Sequence, residues 1–258
     1  MRGDQTGRIL GRVVQLWRYP VKSMAAEPLV ETDVSWHGVA GDRRWAFVRD
    51  RATRSGFPWL TLRQRADMNQ YRPWFADPTQ PDKSPTLVRS PSGVVFDITD
   101  AALAAELHPQ GARVIKQNRG VFDTFPLSLI TSQTITRLSE IIGAPLAVQR
   151  FRPNIVVEAA EAEPFIEDTW VGCVLRIGGM SMRVDKRDGR CAVIAIDPVT
   201  GERNPAILRA VVRDRQGFLG VYASTVAPGR IAVNDAVLLA AADQFDQARA
   251  RTVFPQDS

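Results

Sequence analysis

The feature that most constrains this chain is a series of short apolar runs, separated by glycine and proline, along nearly its whole length. The clearest is WVGCVLRIGGMSMRVD (170–185), which has apolar residues on both sides of Gly178-Gly179. It predicts a β-hairpin, because alternate side chains of a strand face opposite sides of a sheet. Many short strands of this kind predict a mainly β, barrel-like fold with several short helices, α+β overall.

Other segments fit this architecture. Residues 8–18 (RILGRVVQLWR) predict a first strand, and residues 84–98 (SPTLVRSPSGVVFDI) predict a hairpin around Pro-Ser-Gly. A helix with Ser132 as its N-cap is expected to end at Gly143, and a second helix should follow an N-cap at Asn204. A domain boundary is expected near residues 100–125.

Composition narrows the class of ligand. The 258 residues allow one large domain or two modest ones, and they carry a net charge of +5 with a pI near 9.7. This bias suits an anionic ligand but is too small and dispersed to indicate nucleic acid. The N-terminus MRGDQTGRIL has no apolar signal segment, and no apolar run is long enough for a membrane span. We therefore expect a soluble, cytoplasmic protein without a membrane partner.

Several kinds of chemistry lack their usual motifs. The two histidines have no metal-ligand spacing, and the sequence contains no HExxH, CxxC, Walker loop, GxGxxG or GxSxG. Two cysteines cannot form a disulfide framework or supply the four thiolates of an ordinary iron–sulfur cluster. Any electrons that the protein uses should come from outside the chain.

One cysteine has an unusual context. Cys191 lies in KRDGRCAVIAIDP (186–198), after three cations and before an apolar run. Asp188-Gly189 predicts a turn, which would place Cys191 at a turn-to-strand junction. Nearby cations favour the thiolate, the form that reacts and binds metals. The alternative is a buried structural cysteine, which is common, and the local pattern alone slightly favours it.

The second cysteine serves as an internal control. Cys173, Leu175 and Ile177 should share one face of a predicted strand. Because that face is predicted to lie in the core, we expect Cys173 to be unreactive.

Two loops offer groups that could bind an anion. YPVKSM (19–24) places Lys22 and Ser23 just after a strand, where they could hold a phosphate, although solvated Lys-Ser pairs are common. In GDRRW (41–45), Arg43 and Arg44 must point to opposite faces if a strand begins there. One of them would then face inward and require an anion.

A third segment has a surplus of hydrogen-bond donors. RFRPNIVV (150–157) reads as a strand, irregular at its proline, on which Arg150, Arg152 and Asn154 share one face. A polyanionic ligand would satisfy these donors. The alternative is a face that is open to solvent.

Five segments occur together in the order seen in one family: YPVKSM, GVAGDRRWAFV, RFRPNIVV, FIEDTW and RCAVIAIDPVTG. From Arg8 to Leu239 the chain resembles MOSC proteins with an N-terminal MOSC barrel domain. These include mitochondrial amidoxime-reducing components, similar bacterial reductases and the C-terminal part of molybdenum-cofactor sulfurases. The resemblance implies an N-terminal β-barrel domain over residues 8–110 and a MOSC domain over residues 111–245.

The resemblance also implies a ligand, the molybdenum cofactor (molybdopterin), which is a pterin with a dithiolene and a phosphate; pyridoxal phosphate is not implied. Cys191 matches the family's protein ligand to molybdenum and would be the catalytic and metal residue. Family positions that contact the cofactor are matched by Lys22, Ser23, Arg43, Thr124, Arg152, Asn154 and Arg190. Arg150 joins this set through the strand face predicted above.

The implied activity is the reduction of small N-hydroxylated substrates, such as amidoximes or hydroxylamines, with electrons from an external electron-transfer protein or reductase. This chain departs from the family at Asp188-Gly189, where relatives often carry Ser or Pro before the Arg-Cys pair. Asp188 is a candidate proton relay. Two alternatives are a non-catalytic carrier of the cofactor or its sulfur, and a basic β-barrel binding module without metal.

Overall fold

Strands dominate the computed structural model, which describes residues 7–50 and 57–240. The N-terminal part contains β1 (Ile9–Arg18), β2 (Glu27–Leu29), β3 (Glu31–Ser35), β4 (Gly38–Val39), β5 (Trp45–Arg49), β6 (Arg72–Phe75), β7 (Thr86–Arg89), β8 (Val95–Asp97), α1 (Ala101–Leu107) and β9 (Ala112–Lys116). The C-terminal part contains β10 (Leu127–Thr131), α2 (Ser132–Ile142), β11 (Ile155–Ala159), β12 (Val174–Ile177), β13 (Met180–Gly189), α3 (Pro205–Arg215), β14 (Phe218–Ala227), β15 (Gly229–Ala232) and β16 (Ala236–Leu239).

A closed barrel forms the centre of the fold. Seven of the described strands pair in the order β11-β10-β14-β13-β12-β16-β1, and β1 pairs back with β11 to close the ring. Closure requires a close approach at Gly11, where a Cβ would lie 2.3 Å from the carbonyl oxygen of Glu158. The predicted mainly β, barrel-like fold is confirmed.

The barrel interior is filled by apolar side chains that alternate along each strand. On β13, Met180, Met182 and Val184 point into the core, while Arg183 is exposed. The predicted hairpin is confirmed: Ile177 pairs with Met180 across Gly178-Gly179. Alternation therefore places one face of each strand in the core, as the sequence pattern requires.

A second, smaller core lies in the N-terminal part. The β5-β9 pair, the β6-β7-β8 sheet and α1 surround a cluster that includes Phe47, Leu60, Met68, Val88 and Leu103. The hairpin predicted over residues 84–98 is present as β7 and β8.

The proposed division into residues 8–110 and 111–245 stays a prediction, and residues 241–245 lie outside the described ranges. Strand pairing crosses the division repeatedly. β1 pairs with β11 and β16, β3 with β15, and β5 with β9. The first strand of the chain is thus part of the barrel built mostly by the second half.

Helix ends follow the sequence signals closely, with one shift. The N-cap of α2 is Thr131 rather than Ser132, because the Thr131 hydroxyl accepts the Thr134 amide hydrogen. Gly143 ends α2 in the left-handed conformation, as predicted. Asn204 caps α3 as predicted.

Within the described ranges, no helix combines the length and apolar character needed to cross a membrane.

Candidate functional site

A cavity of about 350 Å³ lies where loops of the N-terminal part meet one end of the barrel. Its volume falls within the range of small-molecule sites. All nine residues that the sequence singled out line it: Lys22, Ser23, Arg43, Thr124, Arg150, Arg152, Asn154, Arg190 and Cys191.

Lys22 and Ser23 enter the cavity from the loop that follows β1. The Lys22 amide donates to the Trp45 carbonyl at 2.8 Å, which fixes this loop against β5. The ammonium group of Lys22 donates to the Val121 carbonyl at 3.1 Å and forms an ion pair with Asp123. Burial lowers the pKa of Lys22. Lys22 is therefore a partly desolvated cation at the cavity rather than a solvated surface lysine.

Arg43 and Arg152 lie together around the ring of Tyr19. Their guanidinium carbons are 4.7 and 4.3 Å from the ring centroid, and Arg43 donates to the Arg152 carbonyl at 3.1 Å. Burial, assisted by the neighbouring Arg43 charge, lowers the pKa of Arg152 to about 10. Asp42, paired with Arg43, offsets only part of the charge. This wall thus carries a surplus of positive charge.

The strand predicted over residues 150–157 is confirmed only from Ile155 onward, and its first part is wrong. Val148–Phe151 forms a 3₁₀ helix, Arg152 follows in the left-handed conformation with φ 54°, and β11 begins only at Ile155. Pro153 lacks the N–H that a strand would use, so regular pairing cannot extend through it. Arg150 and Arg152 therefore reach the cavity from a helix and its C-cap, not from a shared strand face.

Arg150 and Asn154 are held mainly by the protein itself. Arg150 donates to the Ile194 carbonyl at 3.2 Å and to Asp197 at 2.6 Å, and burial lowers its pKa. The Asn154 side chain accepts from the Ser128 amide at 3.3 Å and donates to the Trp17 carbonyl at 3.2 Å. Asn154 thereby cross-links β10 and β1 and retains only part of its hydrogen-bonding capacity for a ligand.

The GDRRW prediction is corrected in one respect: β5 begins at Trp45, after both arginines. Arg43 enters the cavity from a left-handed backbone position, whereas Arg44 is buried on another side and pairs with Asp82 at 3.2 Å. Two neighbouring arginines are thus separated by backbone conformation rather than by strand alternation.

Backbone conformation also marks the cavity. Six non-glycine residues of the described ranges have positive φ, and three of them, Ser23, Arg43 and Arg152, line this cavity with φ of 70°, 50° and 54°. Such conformations cost free energy and tend to cluster at functional sites.

Cys191 lies half-buried in the cavity wall, but not at the predicted turn. Asp188-Gly189 belongs to the end of β13, where Gly189 pairs with Phe218 of β14. The segment after Cys191 is a 3₁₀ helix, Ala192–Ala195, rather than a strand. Hydrogen-bonded pairing with β14 thus outweighs the turn preference of Asp-Gly. Cys191 lies between the end of a strand and the start of a short helix.

A cation from elsewhere in the chain interacts with the Cys191 sulfur. Arg63 lines the cavity, and interaction with the Cys191 sulfur raises the pKa of Arg63. Arg190 instead uses its guanidinium on the carbonyls of Leu219 and Phe151, both at 2.7 Å. A cation that is distant in sequence therefore lies beside Cys191, and no local motif in LTLRQRAD indicates this contact.

Asp188 is a buried carboxyl group in the same wall. It pairs with Arg190 at 2.9 Å and accepts from the Ser128 hydroxyl at 3.3 Å, and Tyr222 also interacts with it. Burial raises the pKa of Asp188 despite the adjacent Arg190 charge. Asp188 can therefore hold a proton at a higher pH than an ordinary aspartate.

Several lining residues were not predicted from the sequence. Asp123, Phe122 and Phe125 flank the predicted Thr124, which is exposed, and proximity to Thr124 was the only available signal. Phe57, whose ring centroid is 5.7 Å from the Lys22 nitrogen and 5.8 Å from the Arg63 guanidinium carbon, carried no signal.

The two cysteines have different surroundings. Cys173 precedes β12 and packs against the barrel core, outside the cavity. Cys191 lines the cavity. In the described part of the chain, no three His, Cys, Asp or Glu side chains are grouped so that they could hold a metal ion.

Fold and cavity define a β-barrel protein with a cationic cavity whose wall contains a cysteine. Two family models match the chain. The model of the MOSC domain matches residues 116–238, and the model of the MOSC N-terminal beta barrel domain matches residues 10–101. The chain belongs to the MOSC-domain family.

Curated relatives were also found. A molybdenum cofactor sulfurase from Caenorhabditis elegans is 27% identical over 81% of this chain and 33% of its own length. Mitochondrial amidoxime-reducing component 1 from Danio rerio is 38% identical over 31% of this chain and 23% of its own length. The chain thus spans about a third or less of these relatives. Among solved structures, the YuaD protein from Bacillus subtilis has a TM-score of 0.49 at 13% identity, covering 90% of this chain and 96% of that one.

Proposed function

We propose that this protein is a molybdenum-cofactor-dependent oxidoreductase that reduces small N-hydroxylated compounds with electrons from an external donor. The observation that carries the proposal is the joint presence of Cys191, Lys22 and five guanidinium groups in one cavity. The name of the sulfurase relative supports the cofactor, and the name of the amidoxime-reducing relative supports the substrate class.

The residues present fit this cofactor. Its phosphate is anionic, and Arg152 has a buried guanidinium nitrogen without a hydrogen-bond partner among the described residues. A buried donor of this kind is costly unless a ligand satisfies it. The Cys191 sulfur suits molybdenum because a soft thiolate can coordinate the metal beside the two dithiolene sulfurs.

Each residue has a role that its contacts support. Cys191 would hold the metal, and Lys22, Ser23, Arg43 and Arg152 would bind the anionic and pterin parts. Thr124 and Arg150 would complete the contact surface. Asn154 and Arg190, whose side chains bond backbone carbonyls and an amide, would keep the wall in shape.

When bound, the cofactor supplies two-electron redox chemistry. Reduction of a hydroxylamine to an amine and water consumes two electrons and two protons. Asp188 can hold one proton next to the segment that carries Cys191, because burial raises its pKa. We propose that it acts as the proton relay, that electrons come from a separate electron-transfer protein, and that the protein works in the cytoplasm.

Elemental analysis of protein from a cofactor-competent host tests this proposal. Wild-type protein and the matched control Cys173→Ala should contain molybdenum, whereas Cys191→Ala should contain about tenfold less or none. The wild type should also reduce benzamidoxime with a chemical electron donor. Wild-type protein without molybdenum would refute the proposal and support a metal-free binding module.

A second candidate is a non-catalytic carrier of the cofactor or its sulfur. It is favoured by the sulfurases among the relatives and by the partial exposure of Cys191 beside Arg63. Mass spectrometry would detect a persulfide on Cys191. A persulfide in molybdenum-containing protein that fails to reduce N-hydroxylated compounds with several electron donors would support the carrier over the reductase.

A further inference from the structure

A second cavity of about 380 Å³ lies behind the first. The two cavities share a wall made by Leu62, Arg150, Arg152 and Val193. The second cavity contains neither Cys191 nor Lys22 among its lining residues as the structure describes them. It is therefore a separate compartment that none of the functions above uses.

The cavity has a net positive lining. Arg72, Arg150 and Arg152 line it, its described lining includes no Asp or Glu, and only Arg150 is paired with a carboxylate, that of Asp197 at 2.6 Å. Arg150 Nε is buried without a hydrogen-bond partner in residues 7–50 and 57–240, whereas the unpartnered Arg152 nitrogen is the one assigned above to the cofactor phosphate. An unsatisfied buried donor on Arg150 beside an exposed Arg72 favours an anionic group.

Polar and apolar groups share the rest of the lining. Asn69 and Gln149 are polar, Trp17 gives the wall an aromatic part, and Val199 lies at the cavity with 72% of its surface exposed. A concave site with an aromatic wall and a few polar groups is typical of small-molecule recognition.

We propose that the second cavity binds a small organic anion with a flat apolar body, of the aromatic carboxylate class. Trp17 would contact the ring, and Arg72 and Arg150 would bind the carboxylate. Because Arg150 and Arg152 line both cavities, occupancy of one should alter anion affinity in the other, and such coupling is reciprocal.

Calorimetry on the full-length, cofactor-loaded protein tests this site with indole-3-acetate as the probe and indole-3-ethanol as its neutral counterpart. Indole-3-acetate should bind once per chain with a Kd of about 1 mM or tighter, and indole-3-ethanol about tenfold more weakly. Equal binding of the two compounds, or no binding of indole-3-acetate, would overturn the proposal.

Matched variants locate the site. Val199→Glu adds a negative charge at the cavity and should weaken indole-3-acetate binding by about three- to tenfold, while Val94→Glu, on an exposed hairpin turn outside the cavity, should not. Ala26→Trp should fill the cavity and abolish binding. Thr124→Trp narrows only the first cavity, so indole-3-acetate should still bind once per chain, with an affinity changed only through the coupling to the first cavity. Loss of binding in Thr124→Trp but not in Val199→Glu would assign the probe to the first cavity and overturn the proposal.

Molybdenum content is measured in the same samples. Val199→Glu should keep the wild-type content, because Val199 does not line the first cavity. A wild-type protein that binds indole-3-acetate but lacks molybdenum would refute the proposed function and leave the second site standing.

Discussion

The barrel interior and the wall of the first cavity are built on opposite principles. Inside the barrel, side chains such as Leu129, Val157 and Val221 are fully buried and apolar, on strands with regular pairing. The cavity wall holds desolvated cations, three left-handed non-glycine residues and a buried donor without a partner among the described residues. The barrel stabilises the fold, and the cavity wall gives up stability to present binding groups.

The largest expected effect is in the barrel. Leu129→Ala removes a fully buried side chain and should lower the free energy of unfolding by about 2–5 kcal/mol, as urea denaturation can measure. Thr124→Ala, an exposed change in the cavity, should cost less than about 0.5 kcal/mol. Equal losses in the two variants would break the comparison.

A variant of Asn154 tests whether this residue of the cavity wall also stabilises the fold. Asn154→Ala leaves the buried Ser128 amide and Trp17 carbonyl without their side-chain partner. We expect a loss of about 1–3 kcal/mol of unfolding free energy. A variant that unfolds like the wild type but loses molybdenum would instead make Asn154 a pure ligand contact.

Arg152 tests the binding side of the wall. Arg152→Met removes a desolvated cation, and molybdenum content should fall by about tenfold, equivalent to about 1.4 kcal/mol. The exposed, ion-paired Arg230→Met serves as the control and should retain the metal. Unchanged content in Arg152→Met would mean that the surplus charge serves something other than the cofactor.

The smallest effect concerns a buried carboxyl outside the cavity. Glu167 is fully buried, accepts from the Thr131 and Thr134 hydroxyls at 2.8 Å, and has a pKa raised by burial. Its contribution to stability is therefore full below the ordinary pKa of glutamate and is lost as pH rises toward the raised pKa. In Glu167→Gln, the unfolding temperature should depend less on pH than in the wild type. The same pH dependence in both proteins would contradict a stabilising role of the protonated Glu167 carboxyl.

Sequence patterns predicted the barrel well because alternation and glycine turns act locally. The set of cavity residues came mainly from the resemblance to one family, because local chemistry around Lys22 and Cys191 left structural alternatives open. Three things could not be read this way. Pairing of β1 with β11 joins distant segments, the left-handed turn at Arg152 depends on surrounding structure, and Arg63 meets Cys191 only in the folded chain.

The position of molybdenum relative to Cys191 is the most direct test of the account. X-ray absorption at the molybdenum edge of cofactor-loaded protein counts the sulfur neighbours of the metal. The account predicts that Cys191→Ser loses one sulfur neighbour and gains a lighter one, whereas Cys173→Ser matches the wild type. A Cys191→Ser protein that retains the wild-type number of sulfur neighbours would contradict the assignment of Cys191 as the metal ligand.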